Sequence, residues 1–238
     1  MPEPSTIIKT KNLAAGYGNH TVLNDVSFEL QKGEVLVIIG QNGSGKSTLL
    51  KTISGLLPQK GGSVWINNLH EKHIAPHCLV QKGISYFVQG GLIMPSLTVR
   101  EHLELAAMQT GRKLQKTTLD NTFAEFPRLK EMQKQRAGNL SGGERQMLSF
   151  GILMMQNTQT WLLDEPTAGL SPAMVQFTAD FLQKKTIGGV TMLLVEHNME
   201  VAFKLASHIA VTKDASLTQK FDQPEFLQKD FLDKIVYN

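Results

Sequence analysis

The sequence predicts an α/β fold built on a mostly parallel sheet. Short apolar runs alternate with segments of helical periodicity, which is the order expected of strand–helix–strand units. The run Glu34–Ile39 is apolar almost without interruption, as a strand buried on both faces should be. The chain has 238 residues, 41% of them hydrophobic, so it can bury a sizeable core within one domain.

The N-terminal part is predicted to be rich in strands. Apolar and polar residues alternate there between turn signals such as Lys32–Gly33. A helix is predicted to follow from Lys46 to about Ser54, where Gly55 ends it. The other strands predicted in the first 90 residues are Ile7–Leu13, Val22–Leu30, Ser63–Ile66 and Ile84–Val88.

The middle of the chain has a helical pattern. A capping box at Thr98–Glu101 begins one helix, and a second apolar stripe ends at Pro127. Residues from about 90 to 150 are therefore predicted to form a helical lobe inserted into the sheet domain. Thr160–Leu163 and Val190–Val195 are predicted strands, and a helix capped by Ser171 is predicted to run from Pro172 to about Lys185.

Charge and cysteine content narrow the class of protein. The 24 basic and 21 acidic residues give a net charge of +3, too even a balance to indicate nucleic-acid binding. A single cysteine, Cys78, is compatible with a reducing cytosol. Met1–Asn12 lacks the apolar core of a signal peptide, and no apolar run reaches the ~18–20 residues of a membrane span. Any membrane role is therefore expected to be peripheral, through a partner.

Gly40–Ser47 fits the pattern G-x-x-x-x-G-K-S of a phosphate-binding P-loop. Its glycines allow consecutive backbone N–H groups to face an anion, and the helix N-terminus adds favourable partial charge. Lys46 is expected to reach the outer phosphates of a nucleotide and Ser47 to hold Mg²⁺. A chance match in a glycine-rich turn is the alternative, but the preceding strand and the following helix favour a P-loop. The predicted nucleotide-binding residues here are Gly40, Gln41, Asn42, Gly43, Ser44, Gly45, Lys46, Ser47 and Thr48.

Two carboxylates end the predicted strand that begins at Thr160. Asp164 could hold the metal, and Glu165 could orient or deprotonate an attacking water. An acidic pair after a strand can also be only a solvated strand end.

The segment Leu140–Gln146 begins a glycine-rich helix. Ser141 and Glu144 form a capping box, so an ordinary helix start is one interpretation. A bare helix start is also a second anion site. The segment resembles the LSGGQ signature of the ABC (ATP-binding cassette) ATPase family, in which one subunit's signature closes over the nucleotide of its partner. The resemblance implies that role for Leu140, Ser141, Gly142, Gly143 and Glu144.

The resemblance covers nearly the whole chain. It implies a RecA-like P-loop NTPase core with an N-terminal antiparallel β subdomain and an inserted helical subdomain, together one nucleotide-binding domain over 1–238. It also implies that Tyr17 stacks on adenine, that Gln89 contacts Mg²⁺ and senses the membrane partner, and that His197 contacts the γ-phosphate. Ser171 stands where the family usually has Asp, which leaves the contact across the dimer open.

The chain resembles more narrowly the ATP-binding subunits of branched-chain amino acid importers. The segments that carry this resemblance are Phe126–Lys130, Arg136–Leu148 and Ala168–Pro172. It implies membrane permease subunits and a second ATPase as partners, a periplasmic solute-binding protein as an indirect one, and a place on the inner face of the cell membrane. An exporter ATPase of lipid or lipopolysaccharide type is the alternative. A soluble ABC ATPase acting on nucleic acid or a non-hydrolytic scaffold is less favoured.

Two segments fall outside these patterns. Residues Lys213–Asn238 lack the Asn-Gly turn usual before the last strand. Four possible metal ligands lie within nine residues, but a solvated loop is the favoured interpretation; they are His70, His73, His77 and Cys78.

Overall fold

The computed structural model describes residues 5–71, 73–111, 116–218 and 220–227. It contains two sheets. The first is antiparallel, with strand order β2-β1-β4-β5. Its strands are β1 (Thr6–Tyr17), β2 (His20–Gln31), β4 (Gln59–Ile66) and β5 (Leu69–Glu71).

The second sheet is mostly parallel and has the strand order β10-β9-β3-β8-β7-β6, with β11 also paired to β9. Strands β6, β7, β8, β3 and β9 run parallel, and β10 and β11 pair antiparallel with β9. This arrangement confirms the predicted α/β class. The strands are β3 (Val35–Gly40), β6 (Ile84–Phe87), β7 (Thr160–Asp164), β8 (Thr191–Val195), β9 (His208–Lys213), β10 (Ser216–Leu217) and β11 (Phe221–Asp222).

Four helices lie between β6 and β7, where the helical lobe was expected. The capping box predicted at Thr98 is formed, with its hydroxyl accepting from the Glu101 amide. These helices are α2 (Val99–Met108), α3 (Lys116–Glu125), α4 (Pro127–Glu131) and α5 (Gly142–Gln156). The remaining helices are α1 (Lys46–Ile53), α6 (Pro172–Ile187), α7 (Met199–Leu205) and α8 (Gln223–Phe226).

The hydrophobic core has two parts that meet at the central strand β3. Successive side chains of a strand point to opposite faces of the sheet. Val37 and Ile39 accordingly pack with the helical lobe, α6 and α7, whereas Leu36 and Ile38 pack with α1 and the antiparallel sheet. This two-sided burial explains why the segment is apolar at nearly every position.

Two details differ from, or extend, the sequence-based picture. Ser171 is the N-cap residue of α6, as predicted, but its side chain makes no capping hydrogen bond. The last hairpin forms without Asn-Gly, because Asp214 and Ala215 both adopt left-handed backbone angles, with φ of 51° and 61°. Residues 219 and 228–238 of the atypical tail lie outside the described ranges.

The histidine-rich segment begins in β5, which contains His70, and includes a short 3-10 turn at Pro76–Cys78. Within residues 5–71, 73–111, 116–218 and 220–227, no three His, Cys, Asp or Glu side chains group as a metal site would require. His70 instead packs on Trp65, with 5.1 Å between the ring centroids. In the same ranges, no helix is both long enough and apolar enough to cross a bilayer.

Candidate functional site

The P-loop connects β3 to the N-terminus of α1. Gly45 precedes the helix with φ of 96°, and α1 has no side-chain cap and no acidic residue in its first turn. The N–H groups of this helix end are therefore left for an anion. A Cβ atom at Gly45 would come within 2.5 Å of the Leu23 side chain, so packing as well as backbone angle requires glycine here.

Lys46 folds back over this loop. Its Nζ donates hydrogen bonds of 2.9 Å to the carbonyl oxygens of Gly40 and Gln41. Burial lowers the pKa of Lys46, while the nearby carboxylates of Glu165 and Asp164 raise it. The ammonium group is thus held at the loop that the sequence predicts to cradle phosphates.

Asp164 ends β7 with its carboxylate buried beside the P-loop helix. Ser47 Oγ donates to its Oδ1 at 2.8 Å, and the Tyr86 hydroxyl donates to its Oδ2 at 3.1 Å. Burial raises the pKa of Asp164 and these two hydrogen bonds lower it. The sequence analysis did not identify Tyr86, because a tyrosine on a buried strand is typical of packing.

Glu165 is the residue on which the predicted site converges. Gln89 Nε2 donates to its Oε2 at 2.8 Å, and His197 Nε2 lies 2.8 Å from its Oε1. Its backbone is left-handed, with φ of 47°, which is unusual for a residue other than glycine. Residues from the ends of β6, β7 and β8 thus meet at one carboxylate, although 76 positions separate Gln89 from Glu165.

Glu196 is a buried carboxylate that the sequence analysis did not single out. It accepts hydrogen bonds from the Thr167 hydroxyl at 2.7 Å and from the backbone amides of His197 and Asn198 at 2.8 and 2.9 Å. Glu196 therefore ties the turn that carries His197 to the loop that follows Glu165. The signal available in the sequence was a carboxylate directly after the predicted strand Val190–Val195.

Tyr17 lies at the mouth of a pocket beside the P-loop. Its side chain is 49% exposed. The pocket is lined by Tyr17, Val22, Asn42, Gly43, Gly45, Lys46, Ser47, Thr48, Glu165 and His197. An exposed aromatic ring next to the predicted phosphate cradle is available to stack on a planar base.

The side chains around this pocket suit a magnesium ion bound with a nucleotide. Ser47 offers a hydroxyl, Asp164 a carboxylate and Gln89 an amide oxygen, and Mg²⁺ prefers oxygen ligands. Because burial disfavours the charged form of Asp164, a cation would stabilise that carboxylate. The donor set therefore fits Mg²⁺.

The glycine-rich segment at 140–144 lies apart from this pocket, at the start of α5. Ser141 and Glu144 form both hydrogen bonds of a capping box, as the sequence predicts. Arg128 Nε also lies 3.1 Å from the Glu144 carboxylate. Gly142 is exposed, and the residues lining the pocket in the described part of the chain do not include this segment.

A second, apolar groove opens beside Gln89 and follows the loop from β6 to α2. Exposed apolar side chains form its rim, namely Leu56, Leu92, Met94 and Leu105. His102 Nε2 accepts from the Met94 amide at 2.9 Å, so its Nδ1 carries the proton shared with the Thr98 carbonyl. The loop that presents Met94 is thereby fixed to α2.

Comparison with known proteins places the chain among ATP-driven transport subunits. A family model described as ABC transporter matches residues 23–168. The probable branched-chain amino acid transport ATP-binding protein LivF of Archaeoglobus fulgidus is 34% identical over 96% of this chain and 98% of its own length. BraG of Pseudomonas aeruginosa, a high-affinity branched-chain amino acid transport ATP-binding protein, is 37% identical over 84% and 86%. The glutamate/aspartate import ATP-binding protein GltL of Escherichia coli K12 is 30% identical over 97% and 100%.

Solved structures share the fold. An ATP-binding cassette of an ABC transporter superposes with a TM-score of 0.82 at 26% identity, covering 97% of this chain and 98% of that one. A dimeric cassette in a post-hydrolysis state, bound to ADP and phosphate, superposes with a TM-score of 0.81 at 24% identity over 91% and 99%.

Proposed function

The chain belongs to the ABC transporter family, whose cassettes bind nucleotide and hydrolyse ATP, and from this premise we propose that it powers import of branched-chain amino acids or related amides. The likeness to LivF carries this proposal, because it extends over 96% of the chain and so includes the helical lobe as well as the P-loop. The importer interpretation is better supported than the exporter alternative, since the relatives named above serve amino acid transport or import.

We assign the nucleotide contacts to the residues around the pocket. Tyr17 stacks on the base, and the P-loop amides with Lys46 bind the phosphates. Lys46 Nζ exchanges its bonds to the carbonyls of Gly40 and Gln41 for phosphate oxygens. Ser47, Asp164 and Gln89 would hold Mg²⁺, which would supply positive charge to neutralise the phosphates.

Glu165 is the proposed base for the attacking water. Both of its oxygens are engaged, one by Gln89 and one by His197, so the carboxylate is oriented by two donors. Each oxygen keeps a second lone pair that can accept a proton from water. We assign a further role to His197, which would turn from Glu165 to the γ-phosphate and stabilise its charge there.

The site is proposed to be completed by a second ATPase subunit, identical or homologous. Because the segment at 140–144 does not line its own chain's pocket, its exposed helix start is free to close over the nucleotide of a partner. Such closure would exclude bulk water and strengthen the electrostatic interactions at the γ-phosphate.

The apolar groove beside Gln89 is the proposed binding site for a membrane permease subunit. It offers the apolar rim of Leu92 and Met94 a few residues after Gln89, whose amide contacts Glu165. Movement of this loop can therefore reach the proposed base directly. The chain would then work peripherally on the inner face of the membrane, and a periplasmic solute-binding protein would act on it only through the permease.

The test is uptake of labelled leucine, isoleucine, valine and short amides in cells that lack this gene. We expect the loss of uptake of at least one of these solutes, restored by the wild-type chain and not by Lys46→Ala, whose purified protein should fold but hydrolyse no ATP. Lys32→Ala, an exposed lysine in the β2–β3 turn, is the matched control and should restore uptake. Normal uptake of every solute in the deleted strain would reject the proposed substrate class.

A further inference from the structure

Tyr86 connects the two concave sites described above. Tyr86 is half-buried on β6, where it packs against the core shared with α1, and it is one of the residues that line the groove. Its hydroxyl donates to Asp164 Oδ2 at 3.1 Å. One residue therefore belongs both to the proposed permease groove and to the surroundings of the proposed metal site.

The hydrogen bonds on Asp164 fix the rotation of its carboxylate. Ser47 holds one oxygen and Tyr86 holds the other. Within the described ranges, no other side chain donates to this carboxylate. Burial and the neighbouring Asp164 raise the pKa of Tyr86, so its hydroxyl keeps the proton that it donates.

We propose that Tyr86 is a positioning residue for the metal-binding carboxylate: its hydroxyl holds Asp164 in the orientation from which Asp164 and Ser47 bind Mg²⁺. Without that hydroxyl the carboxylate can rotate about its Cβ–Cγ bond, and only Ser47 orients it. The proposal rests on the proposed function, because it takes Asp164 and Ser47 as the magnesium ligands. It adds that metal affinity depends on a residue that also lines the groove.

The test variant is Tyr86→Phe, which keeps the ring and removes one hydroxyl. ATP binding is measured by titration calorimetry in EDTA and in Mg²⁺, and Mn²⁺ binding to the ATP complex by electron paramagnetic resonance. We expect unchanged ATP affinity in EDTA. The gain in ATP affinity on adding Mg²⁺, and the Mn²⁺ affinity, should each fall by about tenfold to 150-fold, as loss of one hydrogen bond to a charged group implies. Excess Mg²⁺ should restore kcat to near the wild-type value.

The matched control is Ser85→Ala on the same strand. It removes a buried hydroxyl that bonds to Thr158 Oγ1 at 2.7 Å, away from the metal ligands. We expect it to cost similar thermal stability by circular dichroism while leaving metal affinity unchanged. Unchanged metal affinity in folded Tyr86→Phe would overturn the proposal, as would an equal loss of ATP affinity in EDTA. Because uptake is not measured here, a wrong transport substrate would leave this result intact.

Discussion

At the scale of single residues, the site is organised by side chains that the sequence separates widely. Lys46, Asp164 and Glu165 were predictable because each sits in a local pattern: a glycine-rich loop, or an acidic residue closing an apolar strand. His197 was predicted only from the family resemblance. Their contacts were not predictable in this way, since the bonds of Gln89 and His197 to Glu165 depend on strand order. Tyr86 carries no local signal beyond strand alternation.

The exposed ring of Tyr17 leads to a prediction about nucleotide affinity. Tyr17→Ala removes a stacking surface, and base–aromatic stacking contributes about 1–3 kcal/mol. The KM for ATP should therefore rise by about fivefold to 150-fold, with a much smaller change in kcat. Tyr17→Trp keeps a stacking ring and should stay close to the wild type. Steady-state kinetics decide the matter, and a large loss of kcat at saturating ATP would contradict a role confined to adenine.

At the scale of elements, most helices and strands follow from periodicity and end signals. The continuous apolar run before the P-loop is a strand because β3 is buried on both faces. The hairpin between β9 and β10 was not predictable from its turn residues, because it lacks the Asn-Gly pair that favours such a turn. Pairing of β9 with β10, helped by a 2.7 Å bond from the Asn24 amide to the Ala215 carbonyl, holds Ala215 in a conformation that its own preference opposes.

Ala215 therefore offers a test of stored backbone strain. An alanine in the left-handed region costs roughly 1–2 kcal/mol, whereas the greater freedom of an unfolded glycine offsets about 0.4–1 kcal/mol of any gain. Ala215→Gly should thus stabilise the protein by about 0.5–1 kcal/mol in urea unfolding. Asp214→Gly, at a residue type that tolerates this region better, should gain less. If both variants lowered the free energy of unfolding equally, the proposed backbone strain at Ala215 would be wrong.

The groove loop carries a prediction about coupling. Leu92 is 72% exposed on the rim, and a charge there should oppose docking of an apolar partner surface. Leu92→Asp should lower transport per ATP hydrolysed by about tenfold while basal ATPase activity of the purified subunit stays unchanged. Ile187→Asp is the control, since Ile187 is 84% exposed at the end of α6 and does not line the groove. Full transport by Leu92→Asp would place the coupling surface elsewhere.

At the scale of the whole molecule, the active unit is expected to be a head-to-tail pair. Glu165→Gln keeps size and hydrogen bonding but removes the proposed base, so ATP should bind and remain. If the chain pairs with itself, sedimentation should show this variant shifting from monomer to dimer on adding ATP. A shift seen only in a mixture with another ATPase would indicate a heterodimer.

Ser141→Arg supplies the control for that pairing. It places a bulky cation at the helix start that is proposed to close over the nucleotide, so it should prevent the ATP-dependent shift while leaving the fold intact. Monomers in every mixture, including one with the membrane subunits, would exclude the closed pair for this chain.

The shared strand β3 has a further consequence for how the protein fails. Each of the two core clusters takes alternate residues from the same six-residue strand. Loss of that strand from the sheet would expose both clusters to water together. Neither cluster should therefore stay folded when loss of β3 unfolds the other. A mutation that destabilises one core cluster should therefore either leave β3 in place or unfold both clusters together. Proteases in the cell would then encounter either the folded subunit or the unfolded chain.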